Sequence, residues 1–403
     1  MIMENKKNGV YPIFLAFLCM GFGDVVGPMV SLAKDSFGLS NFTAQLLAFS
    51  GFLMFGLLSV PMGIYQARRG KKTALTLGLV IACLGLILPI LGGMYGGEID
   101  FQSGGGFKYY LILLSVLMLG AGATVMQVSG NPIMRDVSAE GQFSSNLSLA
   151  QSIKAIGSSL GFLLPPFFIW AMGWNWTILF PIYAIIVMVT CLWVRSTKIK
   201  EAPTTDAVSL ASCFALLKNG YVVLMVLGIF LYVGAECCMN SGVPILLSEE
   251  FNFDAQKEGL LISWSLFFLP VLVGRFVGAA ILRKMQANRF LLITVLLSLV
   301  GVLLVFTGNI VSTMAGVILV GLGFANIFPL IFSIAVDKMP QYANELSGLM
   351  ITAIVGGAIV PLIWGFVADS ATTVAAFVVP LICLVYILFV GLKVRKKEER
   401  MGS

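Results

Sequence analysis

The chain has 403 residues, of which 59% are hydrophobic and 11% charged. A soluble globular domain carries about 25% charged residues, so a water-soluble fold is excluded and a polytopic membrane protein is expected. The formal net charge of +6 comes from short basic clusters between apolar runs, a topology signal and not a nucleic-acid-binding surface.

Runs such as Leu111–Gly120 and Leu291–Val305 are unbroken. Membrane strands alternate over roughly 10 residues, whereas a spanning helix needs about 20 apolar ones, so the fold class is all-α. In chain order the hydropathy predicts spans at 9–33, 43–66, 73–95, 107–131, 146–170, 175–195, 219–244, 257–282, 288–309, 311–335, 345–368 and 372–394. The first continues from Tyr11 to about Ala33 without a cleavage site, so it is a span and not a signal peptide. It carries Asp24. The fourth carries Gln127 and closes at Asn131-Pro132, where Pro frees a carbonyl and Asn helps to end a helix. The fifth carries Gln151 and Lys154. Trp170, Trp174 and Trp176 follow as interfacial anchors. The seventh holds Glu236, Cys237, Cys238 and Asn240, the eighth Trp264, Phe267 and Arg275, and the tenth Asn326. The seven cysteines lie in or beside apolar runs without metal-ligand spacing and read as small packing residues.

The segment from Arg195 to Lys218 breaks the apolar pattern with Lys198, Lys200, Glu201, Pro203 and Asp206. It divides the chain into a six-helix half at 1–195, a linker at 196–218 and a second six-helix half at 219–403. With both termini inside, the cytoplasmic loops hold about 20 of the Lys and Arg, including Arg68, Arg69, Arg135, Arg283 and Lys338. The outer loops hold about three, Lys34, Lys108 and Lys257. That asymmetry predicts N-in, C-in.

Two six-helix halves joined by a long polar linker resemble the major facilitator superfamily, whose halves rock about a midplane site. After span 2, Gly63-Ile-Tyr-Gln-Ala-Arg-Arg-Gly-Lys-Lys72 is similar to the superfamily's Gly-x-x-x-Asp-x-x-Gly-basic-basic loop, with Ala67 in place of the acid. The second half has Gly274-Arg275 and Arg283-Lys284 at the matching place. Gly63, Arg68, Gly70, Lys71 and Arg275 are therefore expected to form gating loops. The other reading is plain positive-inside anchoring, and for Arg275 it is packing with the head snorkelling to the surface.

Gln127-Val-Ser-Gly-Asn-Pro132, Asn146-Leu-Ser-Leu-Ala-Gln-Ser-Ile-Lys-Ala-Ile-Gly157 and Tyr232-Val-Gly-Ala-Glu236 resemble the fucose–galactose–glucose:proton symporter family. Asn41-Phe-Thr-Ala-Gln45 and Gly356-Gly-Ala-Ile-Val-Pro361 agree with it. The resemblance covers nearly the whole chain and is nearer the sodium-dependent glucose transporter-like branch. It implies a monomeric transporter of the bacterial inner membrane, carrying a monosaccharide with H+ or Na+ and no cofactor. The chain departs from the family pattern at the charges. Gln127 stands where span 4 has an acid. The span 1 acid is Asp24, about one turn before its usual place near Gly27. Lys154 replaces an amide in span 5.

Sugar recognition needs amides and an aromatic face. Gln127, Gln151, Lys154, Asn240, Asn326 and Trp264 are the substrate-binding candidates, with Asn131 and Phe267 as further ones. Each amide also reads as an interhelical hydrogen bond, worth about 0.6 kcal/mol. A charge at bilayer depth costs about 2.5–3.5 kcal/mol on insertion scales, so Asp24, Lys154 and Glu236 point to cation coupling. Asp24 and Lys154 are the expected coupling pair, and a structural salt bridge is the alternative. At about 1.5 Å per residue their depths differ by about 10 Å, which leaves contact open. Lys154 also reads as a fixed cation replacing sodium. Glu236 reads either as a second Na+ ligand with Asp24 or as a protonated, hydrogen-bonded acid.

Two other transport classes stay open. In one, the substrate is an acidic sugar or organic anion held by Lys154. In the other, the chain exports drugs or organic ions, a class whose large apolar pockets carry few directional amides. A sensor would need an added soluble domain. An enzyme is not expected: there is no His, no nucleophile elbow and no metal cluster.

Overall fold

The computed structural model describes residues 2–101, 106–138, 143–201, 210–282 and 284–399. Arg283, Pro203 and Asp206 lie outside them. Among the described residues, 12 helices are long and apolar enough to cross a membrane. They are α1 (Val10–Phe37), α2 (Asn41–Arg69), α3 (Lys71–Leu91), α4 (Phe107–Val137), α5 (Phe143–Met172) and α6 (Trp176–Ser196). After a short helix at Leu210–Leu216 come α7 (Gly220–Phe251), α8 (Ala255–Gly278), α9 (Ala287–Val305), α10 (Ile310–Lys338), α11 (Glu345–Ser370) and α12 (Thr373–Val394).

Several helix starts follow from local chemistry. The free N–H groups at a helix N-terminus need acceptors, and Asn and Asp side chains supply them. Asn219 accepts from Tyr221 N at 2.9 Å, Asp254 from Gln256 N and Lys257 N at 2.9 and 3.0 Å, and Asn309 from Val311 N at 2.9 Å. Between α2 and α3 the chain reverses at Gly70, whose φ of +94° disfavours any residue with a Cβ.

Several boundaries differ from the hydropathy reading, α7 running on to Phe251 and not ending at 244. α4 does not close at Pro132 but runs on to Val137. Proline is tolerated inside a membrane helix because neighbouring groups can pair the freed backbone. α5 begins at Phe143 and not at 146. Local departures from α-geometry also appear that hydropathy does not register. α1 tightens to a 3-10 turn at Phe22–Val25, α11 does so at Ala353–Val355, and α8 widens into π turns at Ala255–Gly259 and Trp264–Phe268.

Packing gathers the chain into two units, residues 1–37 with 50–210, and 38–49 with 211–403. In the first, a Cβ on Gly120 would overlap the Gly51 carbonyl, so α2 and α4 meet backbone to backbone. Membrane helices gain little from hydrophobic association and use such small-residue contacts instead. Trp176 is fully buried, with its indole N–H 2.9 Å from Ser36 Oγ. That corrects its reading as an interfacial anchor, while Trp170 and Trp174 are exposed.

In the second unit, the Asp369 carboxylate caps the start of α2. Oδ1 accepts from Asn41 N at 2.7 Å and Oδ2 from Phe42 N at 2.8 Å. The acid comes from 328 residues away, beyond the reach of any local capping rule. Asp369→Ala should destabilise the purified protein by about 1 kcal/mol, the usual worth of a cap. Asp369→Asn, which keeps one acceptor, should lose less. Thermal unfolding in detergent measures both, and equal losses would contradict the two-oxygen cap.

Candidate functional site

In the first unit the polar cluster is built where α1 and α5 touch. A Cβ on Gly21 would overlap the Lys154 carbonyl oxygen, one on Gly157 the Leu18 carbonyl oxygen, and one on Gly161 the Val25 side chain. This near-contact of two backbones sets the register. It presents Asp24, on the 3-10 turn, to Lys154 and Ser158, which lie four residues apart on one face of α5.

Lys154 Nζ lies 3.3 Å from Asp24 Oδ2, with the two side chains 20% and 35% exposed. Ser158 Oγ donates to the same Oδ2 at 2.9 Å. Lys154 Nζ also donates to Gln127 Oε1 at 3.4 Å. Gln151 Nε2 is 3.5 Å from Asn131 Oδ1. The depth difference estimated from residue counts therefore does not keep the pair apart. The ammonium is held between a carboxylate on α1 and an amide on α4, and the ion pair sums to zero charge. Neutralisation and hydrogen bonding are what make a pair tolerable at depth. Ser158 escaped the sequence reading because a serine in an apolar helix is unremarkable there; its only signal is the four-residue step from Lys154.

In the second unit Tyr232, Glu236 and Asn240 recur every four residues along α7, so they share a face. The Tyr232 hydroxyl donates to Phe324 O at 2.9 Å, and Tyr232 lies within electrostatic range of Glu236 and Arg275. Asn240 Oδ1 and Trp264 Nε1 are buried without a hydrogen-bond partner. Buried polar groups normally have one, and each lacking one costs about 1–3 kcal/mol. Orphaned atoms also occur elsewhere, at Ser115 and Tyr183 for example. What distinguishes Asn240 and Trp264 is their setting: one follows an intramembrane acid by a single turn, and the other sits on a π turn, a distortion frequent at functional sites. Asn326 is placed differently. Its amide donates to Gly274 O at 2.8 Å and fills the space over Gly278, which ties α10 to α8. Phe267 is buried edge-on against Phe324.

The loop between α2 and α3 is tied down. Lys71 Nζ pairs with Asp136 Oδ2 at 2.7 Å, with side chains 9% and 2% exposed. The backbone N–H groups of Lys71 and Lys72 donate to the Glu201 carboxylate, and Lys72 Nζ donates to Arg195 O and Thr197 O at 2.9 and 2.8 Å. A linker carboxylate thus caps the start of α3. Gly63 faces open space, and Arg68 and Arg275 are exposed. Among the described residues no group of three His, Cys, Asp or Glu side chains could hold a metal. Asp24 belongs to the first unit and Glu236 to the second.

The Major Facilitator Superfamily profile matches residues 13–361. The chain is 28% identical over 408 residues to a glucose/galactose transporter of Brucella abortus, covering 96% of this chain and 94% of that protein. It is 22% identical over 412 residues to the L-fucose-proton symporter of Escherichia coli, covering 93% and 89%. A crystal structure of the E. coli fucose:proton symporter shares the fold, with a TM-score of 0.67 at 19% identity over 96% of this chain and 98% of that one.

Proposed function

Because the chain belongs to the Major Facilitator Superfamily, we infer that it is a secondary transporter which carries a neutral hexose together with a proton, its halves at 1–195 and 219–403 alternating about the 196–218 linker with both termini inside. The observation that carries the reading is the Asp24–Lys154 contact at 3.3 Å. An intramembrane acid whose partner is a movable ammonium offers one place for a proton and one consequence of its arrival. When Asp24 is ionised it holds Lys154. When Asp24 is protonated the attraction disappears, and Lys154, which already donates to Gln127, is free to reach a substrate hydroxyl.

A proton fits Asp24 better than sodium. Sodium needs several oxygens, and the Lys154 ammonium already stands on Asp24 Oδ2, where a second cation is repelled. A neutral sugar fits better than an acidic one, because Asp24 already neutralises Lys154. Within the first unit Gln127 and Gln151 offer polar contacts to a sugar ring, and within the second the unsatisfied Asn240 Oδ1 and Trp264 Nε1 offer theirs. The names of the relatives, glucose/galactose transporter and L-fucose-proton symporter, support a hexose.

Thermal unfolding of the purified protein against a panel of sugars tests this, at two pH values and with or without sodium. A ligand at about 100 times its Kd adds roughly 2.7 kcal/mol, so glucose or galactose should raise the midpoint, more strongly at the lower pH and equally with and without sodium. Asn240→Ala and Trp264→Phe should weaken the sugar's effect about tenfold in concentration, as loss of one hydrogen bond to a ligand implies. Stabilisation by uronates alone would replace this reading with transport of an acidic sugar on Lys154. Dependence on sodium would move the coupling ion.

A further inference from the structure

Asp24 Oδ2 has two donors at once, Lys154 Nζ at 3.3 Å and Ser158 Oγ at 2.9 Å. Ser158 Oγ also lies 3.2 Å from the Lys154 backbone carbonyl oxygen. A hydroxyl has one proton to give and two lone pairs to receive, so Ser158 donates to only one of these oxygens at a time. While Asp24 is ionised, that proton belongs on the carboxylate. Once Oδ2 takes up a proton, the acid becomes a donor. Ser158 then accepts from it and turns its own proton to the Lys154 carbonyl by rotating about Cβ–Oγ. No heavy atom moves and every polar atom of the three stays paired. One proton is gained at Oδ2 and no other bond is made or broken.

We propose that Ser158 is a positioning residue that takes over Asp24 from Lys154 when the acid is protonated, so that release of the ammonium is tied to proton uptake. The proposal rests on Asp24 being the coupling acid. Ser158 is 4% exposed and its backbone lies hard against Gly21, so water has little room to substitute for its hydroxyl.

The charged surroundings are simple. The turn bearing Asp24 packs on the rest of α1, on α4 and on α5, and its Phe22 meets α6 at Tyr183. α5 contributes Lys154 as its one charged side chain. The others are Lys34 and Asp35 late in α1, Lys108, Arg135 and Asp136 towards the ends of α4, and Arg195 at the end of α6. Each is at least eight residues from Asp24, Gln127 or Tyr183 on its own helix, about 12 Å along the axis. Of the nearby uncharged titratable groups, Cys19 is engaged with Thr190 at 3.3 Å and Tyr183 stacks on Phe22.

The test compares two activities in proteoliposomes, accumulation driven by an imposed pH gradient and sugar exchange at equal pH. In Ser158→Ala the ratio of accumulation to exchange should fall about tenfold or more, the population change carried by a hydrogen bond to an ionised group. Ser158→Thr, which keeps the hydroxyl, should restore the ratio. Ser158→Cys serves if the alanine variant does not fold, and it should lower the ratio because the thiol is a weak donor. An unchanged ratio in Ser158→Ala, with accumulation abolished in Asp24→Asn, overturns this inference and leaves the coupling reading standing. Full accumulation in Asp24→Asn overturns the coupling reading, and this inference with it.

Discussion

Lys154→Met should abolish uphill accumulation of sugar while the protein still reaches the membrane. The substitution keeps the side chain's length and apolar stem but leaves Asp24 with Ser158 as its one donor among the described residues. Removing one partner of a fully buried pair costs about 3–5 kcal/mol. Here the side chains are 20% and 35% exposed, so solvent screening lowers the expected loss of stability to about 1–2 kcal/mol. Asp24→Asn should lose accumulation too but unfold at a higher temperature than Lys154→Met, because an amide at depth is cheaper than an unpaired acid. The decisive variant is the double exchange Asp24→Asn with Lys154→Met. It removes both charges, so its stability should lie above that of Lys154→Met, with a coupling term of about 0.5–3 kcal/mol. It should also remain unable to accumulate sugar. Restored accumulation in the double variant would show that the pair is a structural salt bridge and that coupling lies elsewhere.

Gly157→Ala should be almost as damaging, though glycine carries no chemistry. Its added methyl would overlap the Leu18 carbonyl oxygen, and Gly21→Ala does the same from the other side, against the Lys154 carbonyl. The neighbours are backbone atoms and cannot turn aside, so α1 and α5 must separate. Overpacking of this kind costs about 1–3 kcal/mol. Transport should suffer beyond the loss of stability, because separating the helices also lengthens the bonds from Lys154 and Ser158 to Asp24. Each single variant should lower the thermal midpoint and reduce accumulation relative to exchange. Alanine at Gly63, which faces open space, should do neither. A Gly157→Ala protein with normal coupling would mean that the register of α1 on α5 is not what places the acid.

The contrast between these residues shows how far the order of amino acids can be read. Asp24 and Lys154 stand out at once, since an ionised side chain in an apolar run is costly wherever the run packs. Ser158, which bonds the same oxygen, is invisible by that measure because a hydroxyl costs little in a helix. Asn240 and Asn326 look alike in sequence, yet one keeps an orphaned oxygen and the other is consumed by the Gly274 carbonyl. Trp176 has the composition of an interfacial anchor and is fully buried. The start of α3 is capped by Glu201 from the linker, which local spacing cannot reveal.

Membrane location and the number of spans were legible along the chain. Each depends on transfer free energies that add residue by residue within a single helix. Which polar groups meet was decided only by the packed structure. A glycine contact between α1 and α5 sets their register, and one turn of helix more or less would shift Lys154 by about 5.4 Å along the axis, away from its acid.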